Sequence, residues 1–396
     1  MRALSRLLAV LLVLVGSAVS TSLGTENSSS LGSRIDAIAQ KILTETSTPS
    51  ASLAVIKDNQ LAYVKAYGYA RLQPPVPANP DMRYKIGSVS KQFLAGAILL
   101  LVQDGKLSLD NRVSQFFPSL TEASNITIRE LLSHTSGYPD YYPLDYVAPF
   151  MLRPVTPDDI LDRFAKEPLN FAPGTEWQYS NTNYAIAAKI LEKVSGMSLM
   201  AFFRARIFGP LGMHSPIDLD HQNVSRSGAA GYTRFGLGPL HPATPEASGW
   251  LYGAGELAMT ARDLAVWDVS LLKGALLNPA SLLQMIKTVR LKDGAPTNYA
   301  LGVAVTNANG LPKLQHGGAV SGYVSYNVVW LDQGAAIAVL TNLDGSRAAH
   351  EIGEKAAPLL IAHQEDPNAT AELAQAQRVF GELQQGAIDR SLLTSD

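Results

Sequence analysis

Apolar positions with the spacing of β-strands occur near both ends of the chain. Residues 51–56 and 61–69 form two such runs, joined at Asp58-Asn59, which is a hairpin signal. After Tyr299 the strand pattern returns, and it predicts strands over 300–306, 311–315, 323–331 and 335–341.

Apolar residues three and four positions apart predict helices outside and between those strands. The helices predicted on this basis cover residues 33–46, 89–103 and 348–362. In the first of them, Ile35 and Ile42 lie on one side, as in an amphipathic helix. Residues 260–263 have the sequence of a capping box, so a further helix is expected to begin there.

Strands at both ends of the chain around a helical middle predict an α+β fold. One sheet is then built from the two chain ends, and residues 85–275 form a mostly helical insertion packed against it. We therefore expect an active site at the seam between the sheet and the insertion.

The first 20 residues have the organisation of a secretory signal peptide. Arg2 and Arg6 are basic, Leu7–Val15 is apolar, and residues 18–20 are small enough for cleavage. A membrane anchor is the alternative, but the apolar run is shorter than the ~20 residues that span a bilayer. We expect an exported protein, periplasmic or extracellular, with no stable membrane span after cleavage.

Composition divides the remaining chain into three parts. Residues 21–32 are Ser-rich and predict a flexible leader. Residues 33–364 carry the strand and helix patterns and predict one folded domain. Residues 365–396 are polar and rich in Ala and Gln, which predicts a helical tail, either docked outside the core or beginning a further domain.

Composition also excludes several classes of function. The 396 residues carry a net charge of −2 and only 17% of them are charged, so nucleic-acid binding is not expected. The absence of cysteine removes disulfides and thiol nucleophiles. The seven histidines are scattered and no His-Glu-x-x-His motif occurs, so neither a metal nor another cofactor is expected.

Ser88-Val89-Ser90-Lys91 is the strongest candidate for chemistry. An extended stretch ends at Gly87 and a buried helix follows, so Ser88 is expected at a helix N-terminus, where negative charge is favoured. Lys91 lies three residues on, so both side chains share one face. A hydroxyl beside an amine that can take its proton is what nucleophilic catalysis needs.

The Ser-x-x-Lys pattern is short, and a second copy weakens it as evidence. Ser270 and Lys273 also match, but they lie late in a predicted helix, where the dipole disfavours an alkoxide. We interpret that copy as surface.

Tyr179-Ser180-Asn181 follows a turn signal and is expected on a loop. A phenol near a lysine ammonium can be held as phenolate and act as general base. The amide of Asn181 offers both a donor and an acceptor for a substrate carbonyl. Taken alone, Tyr179 is better explained as a half-buried core tyrosine.

His316-Gly317-Gly318 follows a predicted short strand. Paired glycines let another backbone approach closely, which suits a strand edge along which a substrate lies. An ordinary turn with a surface histidine is the alternative.

Residues 131–137 form a Ser/Thr/Gly-rich loop after a predicted helix, and a group of tyrosines follows them. Its members are Tyr138, Tyr141, Tyr142 and Tyr146. They are expected either to line a binding cleft or to pack in the core.

Together these motifs resemble the serine β-lactamase-like, penicillin-recognising family on its class C side. That family includes class C β-lactamases, D-alanyl-D-alanine carboxypeptidases, D-aminopeptidases and related esterases. The resemblance runs from about Ser33 to Ala362, includes the stretch 253–264, and keeps the motifs in order. It implies an antiparallel sheet with flanking helices and a mostly helical subdomain at about 85–275.

The resemblance also implies a role for each motif residue. Ser88 becomes the nucleophile that forms an acyl-enzyme. Lys91 and Tyr179 share the general base and acid work, and which of them takes the first proton stays open. Asn181 and the 316–318 motif bind substrate, and the N–H groups of Ser88 and Ala319 form the oxyanion hole.

One position departs from the family's lactamase form. Lys-Thr-Gly is usual at the third motif, and its lysine helps to hold a substrate carboxylate. His316 stands there in this chain, and a histidine is mostly uncharged near pH 7. This departure weakens the β-lactamase and carboxypeptidase interpretations. In having a histidine at this position, the chain resembles the D-aminopeptidase and esterase branches of the family.

The leading hypothesis is therefore an exported serine hydrolase that cleaves an ester or a peptide-like amide in a small molecule or short peptide. Carboxypeptidase ranks second and β-lactamase third. A non-catalytic module that binds penicillin or cell-wall fragments is the competing hypothesis. An α/β-hydrolase is disfavoured because no Gly-x-Ser-x-Gly elbow occurs.

Overall fold

The computed structural model describes residues 23–143, 147–224, 228–236, 238–308, 311–361 and 369–386. Its strands are β1 Ser50–Lys57, β2 Gln60–Leu72, β3 Pro75–Pro77, β4 Tyr84–Lys85, β5 Ile217–Asp218, β6 Tyr232–Thr233, β7 His241–Pro242, β8 Leu257–Met259, β9 Ala304–Ala308, β10 Leu311–Val320, β11 Tyr323–Trp330 and β12 Ala335–Thr341. Its α-helices are α1 Leu23–Thr46, α2 Ser90–Gln103, α3 Ile128–Leu132, α4 Pro157–Phe164, α5 Asn181–Ser195, α6 Leu199–Phe203, α7 Gly209–Leu211, α8 Ala261–Lys273, α9 Pro279–Ile286, α10 Ala348–Ala356 and α11 Ala369–Gln384.

One antiparallel sheet is assembled from the two ends of the chain. It has seven strands in the order β3-β2-β1-β12-β11-β10-β9. Near its centre, β1 pairs with β12 over the register from Ala51↔Thr341 to Ile56↔Ala336. The predicted α+β fold, with an antiparallel sheet built from both ends, is confirmed.

Helices cover both faces of this sheet, so its central strands are buried on both sides. In β1, Leu53 and Val55 face a core shared with α1 and α10, whereas Ala54 and Ile56 face the core of the helical body. This alternation follows from the two-residue period of a strand. Because neither face meets water, β12 is buried along its whole length and is a continuous apolar run from Ala335 to Leu340.

The helical body lies between β4 and β9 in sequence. In it, helices α3 to α9 share one apolar core with the buried helix α2. A small sheet of order β4-β8-β5 lies at its border with the large sheet. The predicted insertion is therefore present, and its last helix ends at Ile286, beyond the expected boundary at 275.

One predicted segment near the N-terminus differs from the structure. Helix α1 begins at Leu23, so most of the segment 21–32, expected as a flexible leader, is helical. Once a helix has a nucleus, each further residue that joins it gains one hydrogen bond. The buried residues Leu31 and Ile35 hold that nucleus in place, so the helix can extend toward the N-terminus from them. The tail contains α11, a helix as expected.

Other expectations at the chain ends are only partly open to comparison. The predicted signal peptide, residues 1–20, lies outside the described residues. Within the described ranges, no helix combines the length and apolar character that a membrane crossing requires.

The predicted capping box at 260–263 is only half formed. Thr260 caps α8 by accepting the N–H of Asp263, but the Asp263 carboxylate does not return the bond. It instead accepts the N–H and the hydroxyl of Ser215, both at 2.7 Å. A tertiary contact has replaced the local one, because Ser215 offers two donors to that carboxylate.

We predict that Ile337→Ala in β12 lowers the free energy of unfolding by roughly 2–5 kcal/mol, because it leaves a cavity in the centre of the sheet. Ile337 is fully buried, and chemical denaturation followed by circular dichroism measures the loss. The matched control is Leu283→Ala, since Leu283 is 57% exposed. Equal losses for the two variants would contradict the buried position of β12.

Candidate active site

Ser88 lies in a short 3₁₀ turn, Gly87–Val89, that leads directly into α2. Gly87 has φ +51°, a value that favours glycine, and it turns the chain out of β4. Ser88 itself is half-buried, whereas Val89 is fully buried and anchors the turn. The predicted position of Ser88 at a helix N-terminus is therefore present in the structure.

Lys91 is fully buried, and its amine meets three oxygen atoms. Lys91 Nζ lies 2.7 Å from Asn181 Oδ1, 2.9 Å from the Ala254 carbonyl oxygen and 3.0 Å from Ser88 Oγ. The first two atoms can only accept. A neutral amine therefore gives its two N–H groups to them and turns its lone pair toward the Ser88 hydroxyl.

Burial also makes the neutral form of this amine accessible. Desolvation lowers the pKa of Lys91 to about 7, although the carboxylates of Asp140 and Glu256 act in the opposite direction. At neutral pH a substantial fraction of Lys91 can therefore accept a proton, which an ordinary surface lysine cannot do.

Asn181 is held by Asp140, a residue that the sequence reasoning missed. The Asp140 carboxylate accepts the Asn181 backbone N–H at 2.9 Å, and Asn181 Nδ2 lies 3.1 Å from both of its oxygens. This fixes the amide with Oδ1 toward Lys91. Both ends of the amide thus have hydrogen-bond partners within the protein, and its role toward substrate stays a prediction. Asp140 lies among the tyrosines that follow residue 137. Those tyrosines were the only feature of the sequence that marked this segment as part of a binding cleft.

Tyr179 lies on the loop before α5, as predicted, beside the lysine. Its ring centroid is 4.9 Å from Lys91 Nζ. Burial raises the pKa of the Tyr179 phenol, as does the Asp140 carboxylate, while the nearby Ser88 hydroxyl acts in the opposite direction. The neutral phenol is therefore favoured over the phenolate expected from the sequence, and Tyr179 is a proton donor in the resting site.

His316 lies inside β10 rather than after it, so the predicted strand end at 315 is wrong. Pairing with β11 continues through Val320↔Tyr323 and keeps the two glycines extended. His316 Nδ1 lies 2.6 Å from the Gly317 oxygen, so this nitrogen donates and Nε2 accepts from the Tyr299 hydroxyl at 2.9 Å. Burial lowers the pKa of His316 to about 4, and nearby Lys91 adds to this, so the ring is neutral at pH 7.

The two glycines differ in what surrounds them. A Cβ on Gly318 would lie 2.0 Å from the Ile86 carbonyl oxygen, whereas one on Gly317 would have no neighbour closer than 3.8 Å. The β9 pairing stops at Gln315↔Ala304, so the rest of β10 is an edge against the Ser88 turn. The expected close approach of a backbone is therefore real, and Gly318 is the residue that permits it.

Ser88 and Ala319, the expected oxyanion pair, are brought together. A Cβ on Gly87 would lie 3.0 Å from Ala319 N, and Ser88 and Ala319 line one cavity of about 30 Å³. Other walls of this cavity are Tyr141, Tyr142, Asn181, Trp250, Leu251 and Val320. A groove of about 520 Å³ adjoins it and shares Tyr142, Ala319 and Val320 as walls.

The tyrosine group thus divides between the two expected roles. Tyr138 is core, Tyr141 is buried but reaches the cavity, and Tyr142 lines both the cavity and the groove. Tyr146 lies outside the described residues. In the second Ser-x-x-Lys copy, Ser270 is buried and donates to the Trp267 carbonyl, so its expected surface position is wrong.

A buried ion pair behind the cavity was also missed. Glu246 Oε2 lies 3.3 Å from Lys85 Nζ, and Glu246 Oε1 accepts the Tyr142 hydroxyl and the Ser321 N–H. Burial alone would raise the pKa of Glu246, but Lys85 and these donors outweigh it and hold the pKa below its usual value. The pair fixes Tyr142 and the turn after β10, and its members lie 161 residues apart in sequence.

We predict that Gly318→Ala lowers the free energy of unfolding by about 1–3 kcal/mol and abolishes covalent labelling of Ser88, because the added Cβ clashes with the Ile86 carbonyl. Thermal unfolding and mass spectrometry after reaction with a serine-directed phosphonate measure the two effects. The free energy of unfolding of the control Gly317→Ala should stay within about 1 kcal/mol of wild type, since its Cβ makes only an ordinary contact at 3.8 Å with the Ser325 oxygen. Similar stability losses in both variants would refute the close approach at Gly318.

Comparison with known proteins identifies the family. The family model described as Beta-lactamase matches residues 35–359. Among curated proteins, penicillin-binding protein 4* of Bacillus subtilis is 28% identical over 74% of this chain and 68% of its own length. A D-aminopeptidase of Gluconobacter oxydans is 27% identical over 80% of this chain and 60% of its own length.

Solved structures agree with this assignment. An octameric penicillin-binding protein homologue from Pyrococcus abyssi is similar with a TM-score of 0.71 at 26% identity, over 83% of this chain and 77% of that one. A D-stereospecific amidohydrolase from a Streptomyces species is similar with a TM-score of 0.70 at 26% identity, over 80% of this chain and 96% of that one. The chain therefore belongs to the Beta-lactamase family, and it has the fold of the β-lactamase-related serine hydrolases.

Proposed function

We propose that this protein is an exported serine hydrolase that cleaves an ester or amide bond through an acyl-enzyme on Ser88, with D-amino-acid amides or small esters as substrates. The observation that carries the proposal is the Lys91 amine. Its nitrogen lies 2.7 and 2.9 Å from two acceptor-only oxygens and 3.0 Å from Ser88 Oγ, so the neutral amine can give its two N–H groups to those oxygens and accept the Ser88 proton.

The first step is acylation. Lys91 takes the proton of Ser88 as its Oγ attacks the substrate carbonyl, and the oxyanion that forms is met by the N–H groups of Ser88 and Ala319. The carbon–leaving-group bond then breaks while Tyr179, a neutral phenol, gives its proton to the departing atom. Lys91 returns its proton to Tyr179, so that both groups end as they began.

The second step repeats this chemistry with water. Lys91 takes a proton from a water molecule that attacks the Ser88 ester, and the acyl group leaves as a carboxylic acid when Ser88 regains its proton. Each bond that forms is matched by one that breaks, and no cofactor takes part in either step.

The charge around the cavity supports substrates without a carboxylate next to the scissile bond. Among the described residues that line the Ser88 cavity, none is basic, and the His316 ring is neutral. A β-lactam or a C-terminal D-alanine carries such a carboxylate. The small cavity favours a short acyl side chain, and the names of the D-aminopeptidase and the D-stereospecific amidohydrolase favour the D series.

A D-alanyl-D-alanine carboxypeptidase or β-lactamase is the second candidate, and the names of the penicillin-binding relatives favour it. Arg234 is the cation that it would use, since its side chain lines the groove beside the cavity. A binding module without turnover is a third possibility. It is disfavoured because the Lys91 amine lies 3.0 Å from Ser88 Oγ and 4.9 Å from the Tyr179 ring centroid, an arrangement that suits a nucleophile with a base and an acid beside it.

We predict that the mature chain from Thr21 hydrolyses a short-chain nitrophenyl ester or D-alanine anilide, and that Ser88→Ala removes at least 10³-fold of this turnover. A chromogenic cephalosporin should react slowly or not at all, because none of the described residues that line the Ser88 cavity carries a positive charge to hold its carboxylate. Initial rates with matched protein samples measure all three substrates. Turnover that persists in Ser88→Ala would refute the proposal, and fast cephalosporin turnover would establish the second candidate.

We predict that kcat/KM falls about tenfold for each pH unit below about 7, because only the unprotonated Lys91 is a base. Asp140 raises the pKa of Lys91, so Asp140→Asn should move this acid limb to lower pH. The control is Asp58→Asn in the exposed β1–β2 turn. In this variant the acid limb of the pH profile should stay at the wild-type pH. A limb that moves upward in Asp140→Asn would contradict Lys91 as the titrating base.

A further inference from the structure

We propose that His134 is a positioning residue for Tyr179 that holds the phenol where it can protonate the leaving group. This inference rests on the proposed function for the role of Tyr179. The geometry that supports it is independent of that function, because it concerns how the loop at 178–180 is held.

His134 contacts Tyr179 and both of its neighbours. The His134 carbonyl accepts the Gln178 N–H at 3.0 Å, and His134 Nδ1 accepts the Ser180 N–H at 3.2 Å. Between them, the rings of His134 and Tyr179 pack face against face, with centroids 4.3 Å apart and a tilt of 35°. One residue thus fixes three successive positions of the loop.

The backbone of His134 is what makes this triple contact possible. His134 has φ +62°, which is uncommon for a residue with a side chain and carries strain. That conformation presents the carbonyl and the imidazole to the same loop. Strain of this kind persists only where the surroundings hold it, and here they include the ring of Tyr184 at 5.2 Å and that of Tyr299 at 4.9 Å.

The residues after His134 extend the same pairing. The Thr135 carbonyl accepts the Gly174 N–H at 2.7 Å, and the Gly137 carbonyl accepts the Asn170 N–H at 2.9 Å. Backbone hydrogen bonds from residues 170–178 to the carbonyls of the loop 134–137 therefore fix the path of the chain up to Tyr179. This accounts for the Ser/Thr/Gly-rich motif that the sequence singled out without a role.

The imidazole itself is not placed as an acid or base. Because Nδ1 accepts the Ser180 N–H, the proton of the neutral ring is on Nε2, which is buried and has no hydrogen-bond partner among the described residues. Burial lowers the pKa of His134, and Lys91 and His316 add to this, so the ring stays uncharged. A neutral ring stacks on Tyr179 without placing a second cation beside Lys91.

The test separates positioning from general stability by its dependence on the leaving group. Nitrophenolate departs without a proton, whereas an anilide nitrogen needs one. His134→Phe keeps a ring but removes the acceptor of the Ser180 N–H. Relative to wild type on the same substrate, we expect kcat for D-alanine anilide to fall at least ~10-fold more than kcat for p-nitrophenyl acetate, with KM within about threefold.

Two further variants make the result interpretable. His134→Asn tolerates the left-handed backbone and keeps an acceptor, so it should retain more anilide activity than His134→Phe. Ile352→Ala removes buried side chain on the opposite face of the sheet, and it should lower thermal stability while changing both substrates equally. Equal losses on both substrates in His134→Phe would overturn the proposal.

A second measurement does not depend on turnover. Residue-resolved amide hydrogen exchange should show that the Ser180 N–H loses protection in His134→Phe, whereas the Gln178 N–H, bound to the backbone carbonyl, keeps it. If wild type hydrolyses neither substrate, the proposed function has failed, and exchange alone decides whether His134 holds the loop. Unchanged protection at Ser180 would overturn the positioning role.

Discussion

The whole site depends on one buried amine. Taking the Lys91 side chain out of water penalises its ammonium form, and the fold offsets this by bringing two acceptor-only oxygens to the nitrogen. Those oxygens belong to Asn181 at the start of α5 and to Ala254 before β8. Three separate parts of the helical body therefore meet at one atom, and the third direction from that atom is left for Ser88.

A second constraint is the distance between the sheet and the helical body. The edge of β10 must lie against the turn that carries Ser88, and side chains at Gly87 or Gly318 would prevent this. Since β10 is placed by its pairing with β11, the position of Ala319 beside Ser88 is set by the strand order of the sheet. The buried pair of Glu246 and Lys85 then holds the turn after β10, so the edge cannot move away freely.

The resting site is polar but contains few formal charges. Burial opposes the charged form of both Tyr179 and His316. It raises the pKa of the phenol and lowers the pKa of the imidazole, so both side chains are neutral. The buried ion pair next to the cavity is satisfied within itself. Such a site can move a proton from Ser88 to Lys91 and from Tyr179 to a leaving group. None of the described residues that line the cavity is basic, and this is the basis for proposing amide or ester substrates without a nearby carboxylate.

Sequence alone determined the features that depend on near neighbours. The spacing of Ser88 and Lys91 within one helical turn, the hairpin at Asp58-Asn59 and the type of most strands and helices follow from local periodicity and turn chemistry, and the structure agrees with them. From the strand pattern at the two chain ends, the sequence predicted that they share one sheet. It did not predict the order of the strands in that sheet.

Only the tertiary structure decided what each side chain experiences. Asp140 holds Asn181 across 41 residues of sequence, and no local pattern marks such a pair. The glycines at 317 and 318 favour a turn locally, yet pairing with β11 keeps them in a strand. Burial decides that His316 is neutral and that Lys91 can act as a base, because desolvation depends on every atom packed around a group rather than on its sequence neighbours.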